Sequence, residues 1–330
     1  MRRALREPRL RLAVVVWAVL VSQVLLYPGL EGLIVALGAP SDIRAGMWFL
    51  LAEFAAFVAF AVVWGAASDA LGRRTPLVVA GALGAAVSYL LLSLLPALGV
   101  GFGGALVVRA VGGAFSIGAF SLAITMLMDL SGGNGRNMGA AGIAIGLGAA
   151  LGSVAGGQLA TIDPFWPIYA GAGVLAAAGA VALTVDETTT TSLDRPARGV
   201  GAAISTLRAR PALGVPFAFG FVDRLTAGFF SLVGVFYFGE AFGLDAAGVG
   251  IALAMFFLPF ALLQYPLGSL SDRIGRFVPI VGGSIGYGVA IVGVGLAWRV
   301  DVAMAMMVVV GIAGAFVAPA TMALVTDLVE

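Results

Sequence analysis

The chain contains no cysteine, no histidine and no lysine, and charged residues make up only 11% of its length. Each absence removes a class of chemistry. Without cysteine there is no disulfide, and redox compartment cannot be read. Without cysteine or histidine there is no ordinary zinc or haem site and no histidine-based catalytic triad. Without lysine there is no Gly-Lys-Ser/Thr phosphate loop and no Schiff base to a retinal. No metal, cofactor, nucleic-acid partner or enzymatic activity is expected. Soluble domains carry about a quarter charged residues.

What remains is 61% hydrophobic over 330 residues. A chain so long and apolar needs lipid as its solvent. The fold class expected is an all-α membrane protein. Ten apolar segments approach the roughly 20 residues of a spanning helix: 12–37, 43–67, 75–96, 99–128, 138–160, 165–185, 212–240, 246–268, 277–298 and 302–326. Met1 to Arg11 carries five arginines, but no small-residue cleavage site follows, so the first segment is read as a retained helix. With an even number of spans and the N-terminus inside, 14 of the 18 arginines fall on cytoplasmic segments. That bias places the N-terminus in the cytoplasm of a multi-pass plasma-membrane protein.

The longest polar stretch, 186–211, reads as a cytoplasmic linker between an N-terminal bundle, 1–185, and a C-terminal bundle, 212–330. The halves repeat. Gly65-Ala-Ala-Ser-Asp69-Ala-Leu-Gly72-Arg73-Arg74 recurs as Gly268-Ser-Leu-Ser-Asp272-Arg-Ile-Gly275-Arg276. Asp129 recurs as Asp327, and Ser22-Gln23 aligns with Asp223-Arg224, all at an offset near 200. Two six-helix halves related this way are a transporter plan. On that plan the second half lacks its last two helices, and a fragment or a shortened variant is expected.

The residues of the repeated motif have readable tasks. Gly65 and Gly268 would let a neighbouring helix approach. Asp69 and Asp272 sit at helix ends, where another helix's positive N-terminus would suit them. Gly72 permits a tight turn, and Arg73 or Arg74 can bridge to a cytoplasmic carboxylate such as Asp129; Gly275, Arg276 and Asp327 are their counterparts in the second copy. Four charges lie near mid-depth, about ten residues or roughly 15 Å into their segments: Glu53, Arg109, Asp223 and Arg224. A buried charge usually faces a cavity or a partner, and a structural pair between Arg109 and Glu53 is one option. Asp223 and Arg224 are about 100° apart on a helix, so one would face a cavity and the other a neighbouring helix. Gln23, Tyr27, Ser116 and Thr226 are weaker cavity candidates.

These motifs, over essentially the whole chain, resemble the major facilitator superfamily. The Gly65–Arg74 stretch is similar to that family's signature between its second and third helices. The resemblance implies pseudo-symmetric bundles, with Asp69 latching onto an eleventh helix and Asp272 onto the fifth. Arg109, followed by Gly112-Gly113, is similar to the family's Arg-x-x-x-Gly pattern, which implies proton coupling or substrate contact. Gly139, Gly148, Gly152, Gly156 and Gly157 match the family's antiporter pattern, with Ser153 in place of its proline. Such small residues would pack the fifth segment against the eighth. The function expected is alternating-access, proton-coupled export of a small amphipathic or drug-like compound by a monomer. The alternatives are a nutrient importer of the same fold or a non-transporting remnant.

Overall fold

The computed structural model describes residues 7–131, 134–187 and 208–329, except the side chains of 134–136, 138, 223, 224, 227, 326 and 329. The described residues form helices and turns. In chain order the α-helices are α1 (Pro8–Val24), α2 (Leu30–Ala36), α3 (Ile43–Leu71), α4 (Thr75–Leu94), α5 (Phe102–Met128), α6 (Asn134–Ala160) and α7 (Trp166–Ala182). Then follow α8 (Gly214–Phe229), α9 (Val235–Phe242), α10 (Ala246–Ile274), α11 (Phe277–Gly295) and α12 (Val300–Val329).

Seven of these helices are long and apolar enough to cross a bilayer, against the ten expected. The three differences have local causes. The first segment breaks at 25–29 into α1 and α2. There Pro28 lacks an N–H, and the Leu26 N–H bonds to the Gln23 carbonyl, three residues back, which closes the helix. The sixth forms only the 17 residues of α7. The seventh is interrupted by a π-turn, Phe230–Gly234, between α8 and α9. Most of the expected 186–211 linker lies outside the described residues.

The chain divides into two compact units. One comprises Met1–Thr190 with Ser231–Ile251, and the other Thr191–Phe230 with Ala252–Glu330. Within the first, α5 packs against α1, α3 and α4. Within the second, α12 packs against α8 and α11. The outward faces are greasy: Val58 is 72% exposed and Val289 68% exposed. In water such surfaces would drive aggregation; in a bilayer they meet acyl chains.

Both copies of the repeated motif have the same local shape. Helix α3 ends on Gly72 at φ +61°, and α10 is followed by Gly275 at φ +86°. Only glycine enters that left-handed region without a steric penalty from a Cβ. Gly72→Ala is therefore expected to lower stability by about 1–2 kcal/mol, read as the midpoint of denaturant unfolding in detergent. An unchanged midpoint would contradict the turn's dependence on glycine.

Candidate functional site

The site grows from a helix crossing. A Cβ on Gly113 of α5 would run into the backbone carbonyl of Glu53 on α3. Bare hydrogen at Gly113 lets the two helices touch there. One turn before Gly113, Arg109 then faces the Glu53 carboxylate, and its Nη2 forms an ion pair with Glu53 Oε2. Both side chains are sealed: Glu53 is 0% exposed and Arg109 1%.

A second partner comes from α1, where Gln23 Nε2 donates to Glu53 Oε1 at 3.3 Å. Two rings flank the guanidinium, Phe49 at 4.9 Å and Tyr89 at 5.3 Å from ring centroid to Arg109 Cζ. Desolvated cation–π contacts of this kind are worth up to about 2 kcal/mol. Nε and Nη1 of Arg109 have no hydrogen-bond partner among the described residues. Tyr89 also donates its hydroxyl to the Ser22 carbonyl at 3.0 Å. That carbonyl lies where α1 closes, so no α-helical Leu26 N–H takes it. The room for Tyr89 comes from Gly171, whose Cβ would stand 2.7 Å from the ring.

The structure thus joins three of the expected residues, Glu53, Arg109 and Gln23, within the first unit. The backbone of Asp223 and Arg224 is in α8, but their side chains lie outside the described residues. Ser116 and Thr226 spend their hydroxyls on carbonyls of their own helices, Gly112 and Val222. Tyr27 is buried. Sequence reasoning missed Phe49 and Tyr89. A ring in an apolar helix gives no sign that it flanks a cation, although Arg109 itself announced the need for partners.

The turn after α3 forms a second cluster. Arg74, at the N-cap of α4, forms an ion pair with Asp129 at the end of α5. The Glu187 carboxylate accepts the backbone N–H groups of Arg74 and Thr75, satisfying two donors at the start of α4. In the other copy Arg276, at the N-cap of α11, pairs with Asp272 and, at 3.0 Å, with Asp327. The hydrogen bond that Arg276 donates to Asp272 raises the Arg276 pKa above its ordinary value. Alignment sets Arg276 opposite Arg73, yet the partner of Asp129 is Arg74, because the first turn is one residue longer. Asp69 and Arg73 are exposed and stand apart from this cluster.

Two packing expectations are corrected. Gly65 and Gly139 have nothing within 4 Å of where a Cβ would stand, so neither is at a close helix approach. Gly268 only touches Pro319, at 3.4 Å. Three of the α6 glycines face α1, while Gly157 meets the eighth segment as expected, where a Cβ on Gly250 of α10 would stand 2.3 Å from the Ser153 carbonyl. Cβ atoms on Gly148, Gly152 and Gly156 would meet Trp17, Val21 and Leu25. Spaced by four, these glycines form one stripe. Gly157 points about 100° away, where its Cβ would meet the backbone of Ala246 at the start of α10. Ser153 keeps α6 continuous and donates its hydroxyl to Ala149.

The sequence matches the profile of the Major Facilitator Superfamily over residues 12–239 and 217–330. The chain belongs to the Major Facilitator Superfamily. It is also 30% identical over 244 residues to the class G tetracycline resistance protein of Vibrio anguillarum. That match takes in 72% of this chain but only 61% of the relative, less than two thirds of its length.

Solved transporters share the fold. A bacterial homologue of the human lysosomal transporter Spinster superposes with a TM-score of 0.73 at 16% identity, over 98% of this chain and 78% of that one. The nucleoside transporter NupG gives a TM-score of 0.72 at 12% identity, over 94% and 81%. A D-xylose–proton symporter gives 0.62 at 14% identity, over 97% and 87%. This member of the superfamily is therefore a multi-pass membrane protein of the transporter fold.

Proposed function

We propose that this superfamily member is a secondary active transporter that exports a small amphipathic compound in exchange for protons, by alternating access. The observation that carries the reading is the sealed Glu53–Arg109 pair with Gln23 beside it. A charge buried at that depth costs at least about 2.5 kcal/mol on insertion scales, and a helical bundle retains one where it performs a task. A proton on Glu53 removes its charge and frees Arg109, whose guanidinium cannot lose its own proton. Two states of the pair then become two states of the bundle. The similarity to a tetracycline resistance protein supports export over uptake. The arginine bias supports a cytoplasmic N-terminus in the plasma membrane.

The test is a pH jump across proteoliposomes holding the purified chain, with tetracycline as one probe in a panel of amphipathic compounds. Glu53→Gln and Asp223→Asn should each cut proton-driven flux at least tenfold per folded molecule, in keeping with the 10²–10⁴-fold usually lost with a proton-transfer group. Proton-driven flux persisting in both variants overturns the coupling assignment.

A further inference from the structure

A second arginine stands behind the Asp129–Arg74 pair. Arg9, in the first turn of α1, donates Nη2 to the Ser131 carbonyl at 2.6 Å and Nε to Asn137 Oδ1 at 2.8 Å. Asn137 is fully buried and donates onward to the Leu130 carbonyl at 2.7 Å. Leu130 and Ser131 are the two residues immediately after Asp129. Arg9 thus fixes the backbone that carries the aspartate.

The second unit repeats the arrangement. Arg210, just before α8, donates Nη1 to the Leu328 carbonyl at 2.8 Å. Leu328 follows Asp327, and Asp327 takes the Arg276 guanidinium. Arg9 and Arg210 are about 200 residues apart, the same offset that relates the two aspartates and the two turn motifs. In each unit an arginine takes a carbonyl within two residues after the gate aspartate: Ser131, two after Asp129, and Leu328, one after Asp327. A chance surface contact would have no reason to recur at the repeat offset.

We propose that Arg9 and Arg210 are positioning residues of the gate: each holds the chain after its aspartate so that the carboxylate meets the arginine of the turn. The inference rests on the reading that these turn clusters open and close during alternating access. Arginine suits the task at Arg9 because its planar fork serves the Asn137 side chain and the Ser131 carbonyl together. A lysine ammonium is a point charge without that fork.

The cysteine-free chain allows a direct test. Leu71→Cys and Phe277→Cys place one exposed spin label in each unit, since these side chains are 63% and 76% exposed. Pulsed electron paramagnetic resonance in lipid nanodiscs then reads the label–label distance at acid and neutral pH. The full chain should show two distance populations whose ratio depends on pH. Arg9→Ala and Arg9→Lys should each change that ratio at fixed pH by at least about fivefold, the lower end of ordinary coupling between linked sites. Arg210→Ala should do the same from the other unit, and it stands in if the Arg9 variants fold poorly. Adding Arg9→Ala to Asp129→Asn should change the ratio little further, because both act on one contact. Two populations in an unaltered ratio, with only a lower melting temperature, would overturn the positioning role and leave the arginines as staples. A single, pH-independent distance in the unsubstituted pair would instead overturn the gating reading beneath it.

Discussion

Glu53→Gln should destabilise the protein by about 3–5 kcal/mol, the usual cost of leaving one member of a buried ion pair without its partner. The amide keeps the shape and can still accept from Gln23, so the loss isolates charge rather than packing. Arg109 has no escape: at 1% exposure it cannot reach water, and its guanidinium does not deprotonate. The reverse variant should cost less. Arg109→Met leaves a carboxyl that can bind a proton and lie neutral against Gln23. The double variant, Glu53→Gln with Arg109→Met, should recover most of the loss, since a neutral pair of similar volume carries no desolvated charge. Urea unfolding of the four proteins in detergent gives the full cycle. Equal losses for the two single variants, or strict additivity in the double, would show that the pair contributes through shape alone.

Gly113→Ala should cost about 1–3 kcal/mol through overpacking, although alanine is the better helix former. The new methyl meets the Glu53 backbone, which cannot swing aside as a flexible side chain could. Separating α3 from α5 there also pulls Glu53 from Arg109, so the effect should be non-additive with Glu53→Gln. Gly65→Ala and Gly139→Ala are the controls, because a Cβ at either position meets nothing within 4 Å. These two should stabilise by about 0.5–1 kcal/mol through helix propensity. The opposite signs of one chemical change are the test, again by unfolding midpoint. Destabilisation of similar size at all three glycines would remove the special status of the crossing.

The same contrast shows where sequence reading stops. Gly65, Gly139 and Gly113 look alike in sequence, and only the third touches a backbone. A stripe such as Gly148, Gly152 and Gly156 states that something approaches closely, but which helix approaches is decided by tertiary packing, here α1. The repeated turn was legible because a left-handed residue between two helices demands glycine, and Gly72 and Gly275 supply it. The choice of Arg74 over Arg73 was not legible, because it depends on one residue of turn length. The pairing of Glu53 with Arg109 followed from cost: charges at that depth need each other. The span count was overread because average apolarity does not register the Pro28 break or the π-turn at Phe230–Gly234. Those features spoil continuity without changing hydrophobicity.

Of the guanidinium's three nitrogens at the crossing, Nη2 holds the carboxylate, while the rings of Phe49 and Tyr89 flank the group. Departure of Arg109 from Glu53 therefore breaks one ionic contact and gives up the two flanking rings, while a fork bonded to carboxylates at every prong would have to break several ionic contacts in concert. Affinity of charge is high at this point and mechanical multiplicity is low. Under the proposed coupling, such a joint stays shut under thermal jostling until one proton reaches the carboxylate.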